Sequence, residues 1–159
     1  KDHGTVTAGN ASGINDGAAA VVLMDAAAAA RQGKKPMARL VSYAHAGVEP
    51  HIMGIGPVPA SRKALAKAGL RADQMDVVEA NEAFAAQALA VCRDLELDPA
   101  KLNPNGSGIS LGHPIGATGA IITLKALHEL QRINGRYALV TMCIGGGQGI
   151  AAIFERVEH

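Results

Sequence analysis

Apolar and polar positions along the chain change rhythm between period two and period 3.6, and the changes mark the elements. Ala19–Met24 is a short apolar run that predicts a buried strand; the alanine-rich helix former Asp25–Gln32 follows and Gly33 ends it. Met37–Ala46 predicts the next strand, since Leu40, Val41 and Tyr43 suit a sheet. Gly47–Pro59, punctuated by glycine and proline, reads as a long loop, and a loop that long in a compact chain is more often functional than idle. Ala60–Ala68 predicts a helix stopped by Gly69, and Met75–Glu79 a strand. Asn81 opens a helix running to about Leu95, with Phe84, Ala88 and Val91 on one face. A second glycine-rich loop covers Asn103–Gly116. Ala117–Gln131 predicts a helix whose buried stripe is Ile121, Leu124, Leu127 and Leu130. Tyr137–Met142 and Ile150–Phe154 predict two strands joined too tightly for a crossover, hence antiparallel.

This βαβαβαββ order, with one further helix before the last two strands, implies a single α/β domain. Its sheet is expected to be mixed but mostly parallel, with helices on both faces. Composition fits that scale: 159 residues, 48% hydrophobic, 18% charged and only 3% aromatic. The core is therefore built from Ala, Val, Leu, Ile and Met. A net charge of +1 without a basic block argues against nucleic acid as a partner. No apolar run approaches the ~18 residues of a membrane span. The two cysteines, Cys92 and Cys143, read as free thiols rather than a disulfide scaffold. The six histidines, His3, His45, His51, His113, His128 and His159, show no metal-ligand spacing, so no metal is expected.

Three polar groups fall where loops leave strands, the places where an α/β sheet presents its site. Pro114 keeps His113 out of helical geometry, just ahead of a helix whose positive end would keep the ring neutral. A neutral imidazole can take a thiol proton or donate to a carbonyl oxygen; the plain alternative is a loop histidine bonded to backbone. Cys143 ends a strand before three glycines, beside bare backbone N–H groups. It reads as a nucleophile or an acid/base group, or else as a small buried hydrophobe; Gly145 could offer an oxyanion donor. Asn81 reads either as a helix N-cap or as a fixed amide holding a water or carbonyl oxygen.

Asn81-Glu82-Ala83-Phe84, Gly112-His113-Pro114-Ile115-Gly116 and Cys143-Ile144-Gly145-Gly146-Gly147, in this order, resemble the C-terminal half of the thiolases (acetyl-CoA acetyltransferases and β-ketothiolases). Gly4-Thr5-Val6-Thr7-Ala8-Gly9-Asn10-Ala11-Ser12-Gly13 and Met53-Gly54-Ile55-Gly56-Pro57 resemble two further segments of that family. The resemblance implies a thiolase-like half-domain over residues 1–156 and a reversible Claisen condensation of two acyl-CoA molecules. A cysteine of the N-terminal half would be acylated. The position of His113 would activate that cysteine and supply an oxyanion donor, and that of Asn81 would hold a water in the same hole. Cys143 would remove the α-proton, Gly145 would donate to the second hole, and Ala8, Ser12, Met53, Ala83 and Phe84 would line the CoA and acyl pocket. CoA thioesters would be substrates, with no cofactor needed. The partners implied are the N-terminal half and further copies in a homodimer or homotetramer, with a cytoplasmic setting. Rival expectations are another condensing enzyme of the superfamily, such as a ketoacyl synthase, and a silent half-domain that only binds CoA.

The opening Lys1-Asp2-His3 without Met, and the closing Val157-Glu158-His159, read as a cut end and a tag scar. Cys92 lies mid-helix, so no second thiol is placed for acylation. Residues 1–156 alone are therefore expected to lack thiolase activity and to self-associate through apolar surface. Sedimentation and an acetoacetyl-CoA cleavage assay check this; a monomer that cleaves the substrate contradicts it.

Overall fold

The computed structural model describes residues 3–158, so Lys1, Asp2 and His159 of the terminal readings lie outside it. The helices are α1 (Ala26–Arg31), α2 (Pro57–Ala68), α3 (Ala85–Asp94), α4 (Gly108–Leu111) and α5 (Thr118–Ile133). The strands are β1 (Ala38–Gly47), β2 (Val77–Ala80), β3 (Tyr137–Ile144) and β4 (Gln148–Arg156), in spatial order β1-β4-β3-β2. β4 runs antiparallel to both β1 and β3, and β2 runs parallel to β3. The sheet is mixed, as expected, but two of its three pairings are antiparallel. The β3–β4 hairpin puts a reversed strand in the middle, and a reversed central strand makes both of its pairings antiparallel.

Helices cover both faces. α2 and α3 bury Val58, Ala60, Ala64, Leu65, Val91 and Leu95 against Ala44, Val78, Leu139 and Ile153 of the sheet. On the other face α5 sets Ile122, Ala126 and Leu130 on Val77, Ala138 and Val140. Leu139 and Ile153 are fully buried, and burying side chains of this size contributes about 1.5–3 kcal/mol each. The α5 stripe is rotated by about one residue from the expected Ile121–Leu124 line, because β2 and β3 meet the Ile122 edge of the helix. α2 and α1 end as expected, at Gly69 (φ 66°) and Gly33 (φ 63°).

Four local expectations differ in the structure. Ala19–Met24 is no strand: no ladder pairs with it among the described residues, and Val22 and Leu23 are 90% and 79% exposed. An apolar run makes a strand only where an edge receives it. Gly47–Pro59 is not a loop throughout. Residues Pro50–Ile55 form a 3₁₀ helix and Pro57 starts α2, since proline at a first helical turn lacks only an N–H that would go unused. Asn81 does not cap a helix; α3 begins at Ala85, with Phe84 in the cap position, and Asn81 instead extends the β2–β3 ladder through its N–H to the Thr141 carbonyl. The Asn103–Gly116 stretch likewise contains α4. No helix among the described residues is long and apolar enough to cross a membrane.

The β3–β4 turn is wedged against the segment that leads into α2. Val48 N–H donates to the Gly147 carbonyl at 2.7 Å. A Cβ on Gly56 would fall on the Gln148 carbonyl, and one on Gly149 would fall on the Gly56 backbone. Gly116, by contrast, has open space where a Cβ would stand. Gly56→Ala should therefore cost about 1–3 kcal/mol through overpacking, while Gly116→Ala stays within about 1 kcal/mol of the parent. Urea denaturation of the two variants checks the contrast; equal midpoints contradict it.

Candidate active site

The site grows from the end of β2, the loop before α5 and the segment 10–15, which laces the two together. Ala85 N–H donates to the Asn10 carbonyl at 2.9 Å, Ser12 N–H to Ala83 at 2.9 Å, and His113 N–H to Gly13 at 3.3 Å. Isolated bridges pair Ala11 with Phe84 and Ile14 with His113. The Asn15 Oδ1 also accepts from His113 N–H at 3.1 Å. Gly112, at φ 98°, lets the chain turn into His113, and a Cβ there would strike the Asn15 amide.

The His113 ring is held from both sides. Its Nδ1 lies 2.7 Å from Thr118 Oγ1, and Thr118 donates its own hydroxyl proton to the Pro114 carbonyl at 3.0 Å. A hydroxyl has one proton. With that proton spent on Pro114, Oγ1 can only accept from the ring, so Nδ1 carries the hydrogen and Nε2 presents a lone pair. Asn81 Nδ2 faces Nε2 at 3.5 Å. The Asn81 Oδ1 is buried and unpartnered in the protein, an acceptor left for a small polar group, since a buried amide oxygen without a partner costs about 1–3 kcal/mol. Burial pushes His113 below its ordinary value of 6.5, so the ring is neutral at pH 7. Burial disfavours the imidazolium, and the positive end of α5, whose first residue Thr118 touches the ring, acts in the same direction.

Cys143 sits in the last turn-ward stretch of β3, opposite Gly149, and is buried. Burial raises its thiol above the ordinary 9.0. Gly145 follows on the exposed turn with open space beside it. Of the pocket candidates, Ser12, Ala83 and Phe84 come together through the 10–15 lacing. Met53 lies in the 3₁₀ helix, which Gln87 of α3 holds by a 3.1 Å bond to the Gly54 carbonyl. Ala8 is exposed in a turn whose Thr7 N–H bonds Asn10 Oδ1. Cys92 is a half-buried residue of α3 packed against the α2-side core, with burial, then the Glu82 carboxylate, raising its thiol. Thr118 and Asn15 escaped the reading of the sequence, although Thr118 stands five residues after His113 in the same glycine-rich motif; only the fold brings its hydroxyl back onto the ring.

The thiolase C-terminal domain model matches residues 34–156, and the thiolase N-terminal domain model matches residues 1–27. A beta-ketothiolase of Cupriavidus necator is 75% identical over 157 residues, covering 99% of this chain and 40% of the relative. An acetyl-CoA acetyltransferase of Paracoccus denitrificans is 60% identical over 154 residues, covering 97% and 39%. Among solved structures, the Bacillus anthracis acetyl-CoA acetyltransferase superposes with a TM-score of 0.97 at 52% identity, covering 99% of this chain and 40% of that one. Human mitochondrial 3-ketoacyl-CoA thiolase in complex with CoA gives 0.92 at 48% identity, with the same coverage. The chain thus spans about 40% of the length of these relatives.

Both raised thiols should resist iodoacetamide at pH 7.5 relative to a free cysteine of ordinary acidity, and their alkylation should climb only as pH passes above 9. Peptide mass spectrometry reads each site. Rapid labelling of Cys143 at neutral pH contradicts its burial.

Proposed function

The chain belongs to the thiolase family, and from that membership we propose that it supplies the histidine and the acid/base cysteine of an acyl-CoA C-acyltransferase. The reaction is the reversible Claisen condensation of acyl-CoAs to a short-chain 3-ketoacyl-CoA and CoA. The acylated cysteine comes from the N-terminal thiolase half. The observation that carries the reading is the His113 ring fixed between Thr118 and Asn81, with an unprotonated Nε2 that faces only the long 3.5 Å contact of the Asn81 amide.

The chemistry follows from the two perturbed groups. The nucleophilic thiol attacks the thioester carbon of the first acyl-CoA and passes its proton to Nε2 of His113, a base because it is neutral. Cys143 rests as a thiol, since burial raises it, so it first acts as an acid and gives its proton to the departing CoA thiolate. The thiolate left behind then removes the α-proton of the second acyl-CoA. The carbanion attacks the acyl-cysteine carbon, and His113 returns its proton to the cysteine thiolate as the bond breaks. Protons and charges close over the cycle. The imidazolium and the Asn81 amide, with a water at its unpartnered oxygen, stabilise one oxyanion; the Gly145 N–H serves the other. Ala8, Ser12, Met53, Ala83 and Phe84 line the CoA and acyl pocket. CoA thioesters are substrates here, and the reading calls for no separate cofactor or metal.

The exposed apolar run Val21–Met24 and the exposed Ile14, within the segment that matches the N-terminal thiolase domain, support packing of the rest of that domain against them. A homodimeric or homotetrameric assembly and a cytoplasmic setting belong to the same proposal.

In the protein carrying both halves, Cys143→Ser should slow acyl-enzyme formation only modestly, because a thiolate can leave without an acid, while condensation, which needs the base, falls on the order of 100-fold or more. His113→Ala should lose both half-reactions, by roughly 10²–10³-fold each. Trapping radiolabelled acyl-enzyme separates the steps. If Cys143→Ser fails equally at acylation and condensation, or His113→Ala acylates normally, the roles are wrong.

A further inference from the structure

One largely buried charge pair has no part in the proposed chemistry, and it links the strand, loop and helix that carry Asn81, His113 and Thr118. Glu79 is fully buried on β2, two residues before Asn81. Its Oε2 accepts from Lys125 Nζ at 2.8 Å, and Oε1 has no partner. Burial pushes this carboxyl above its ordinary range; Lys125 opposes the shift, and the Glu129 and Glu82 carboxylates add to it. Lys125 lies on α5 about two turns after Thr118, hence on the same side of the helix. The same Nζ also donates to the Gly106 carbonyl, at the head of the loop that runs through α4 to His113. One ammonium therefore joins the strand carrying Asn81, the loop carrying His113 and the helix carrying Thr118.

We propose that the Glu79–Lys125 pair, tied to the Gly106 carbonyl, is a positioning brace that sets the separation of Asn81 and His113. A buried ion pair is weak evidence for stability, because apolar residues of similar volume often replace it without loss. Fixing geometry is what such a pair does that apolar packing does not. The backbone lacing of segment 10–15 holds the loop to residues 83–85, and Asn103 and Ser107 bond it to Ala80 and Glu82; β2 meets α5 through the apolar contact of Val77 with Ile122, Ala126 and Leu130, which sets no hydrogen-bond register. Lys125 adds a directed side-chain hydrogen bond from α5 to β2 and a second from α5 to the loop at Gly106, beside the Asn105–Glu129 bond that also joins loop and helix. The carbonyl of Gly106 cannot move without displacing the chain at φ 78° that leads into α4.

The kinetic part of this proposal rests on the acyl-transfer reading; the geometric part does not. The test is Glu79→Leu/Lys125→Met, which removes both charges together, in the protein carrying both halves. Its crystal structure should show the Asn81 Nδ2–His113 Nε2 separation, 3.5 Å in the parent, widened by about 1 Å or more. A misplacement of that size should lower kcat on the order of 10–100-fold, with KM within about threefold. Glu79→Gln, which keeps an acceptor for Lys125, should restore both readings to near the parent. An unchanged separation or unchanged kcat in the double variant overturns the brace. So does a failure of Glu79→Gln to rescue. If the double variant does not fold, Glu79→Gln/Lys125→Met takes its place, and loss of fold in both overturns the proposal by making the pair a folding determinant. A widened separation in a protein whose parent has no thiolase activity sinks the acyl-transfer reading and leaves the brace standing.

Discussion

The single proton of the Thr118 hydroxyl decides the chemistry of the site. Pro114 O takes it, so the oxygen facing His113 is an acceptor, and the ring must place its own hydrogen on Nδ1. For the neutral ring this fixes a lone pair on Nε2 and an orientation in which Asn81 stands beside it. Burial supplies the neutrality by disfavouring the imidazolium. The rest of the fold serves to deliver three residues from three elements to one spot. β2 brings Asn81, the start of α5 brings Thr118, and the turn at Gly112 brings His113.

Backbone contact does much of that delivery. Segment 10–15 hydrogen-bonds on one side to residues 83–85 and on the other to His113. The glycine turn after Cys143 rests against the backbone of Val48 and Gly56 with no room for a side chain at Gly56 or Gly149. Such close approach explains a core rich in alanine and glycine and poor in aromatics. It also gives a physical reason for the glycines of Met53-Gly54-Ile55-Gly56: a Cβ at Gly54 would strike Gln87, and one at Gly56 the turn.

Much of this was legible in the sequence. The glycines that end α1 and α2 and the apolar runs of β1, β3 and β4 read correctly, because each depends on local geometry and period. His113 and Asn81 stood out as polar groups at strand ends, and the structure brings them into contact. What could not be read was non-local. Whether Asn81 caps a helix or extends a ladder depends on Thr141, sixty residues later in rough count, whose carbonyl accepts its N–H. Whether Ala19–Met24 pairs as a strand depends on an edge to receive it. The tautomer of His113 depends on a threonine that the chain returns to the ring only after a full turn. The Glu79–Lys125 pair links a strand to a helix far along the sequence, and no local pattern announces it.

The central claim is that His113 offers an unprotonated Nε2 because Thr118 holds the hydrogen on Nδ1. Nitrogen-15 NMR of the ring in histidine-labelled protein carrying this chain, at pH 8 where the imidazole is neutral, tests it most directly. His113→Gln identifies the signals. His113 Nδ1 should give the shift of a protonated nitrogen and Nε2 that of a bare one. The reverse pattern, with the hydrogen on Nε2, would contradict it, since a ring so protonated has no lone pair on Nε2 to take a thiol proton.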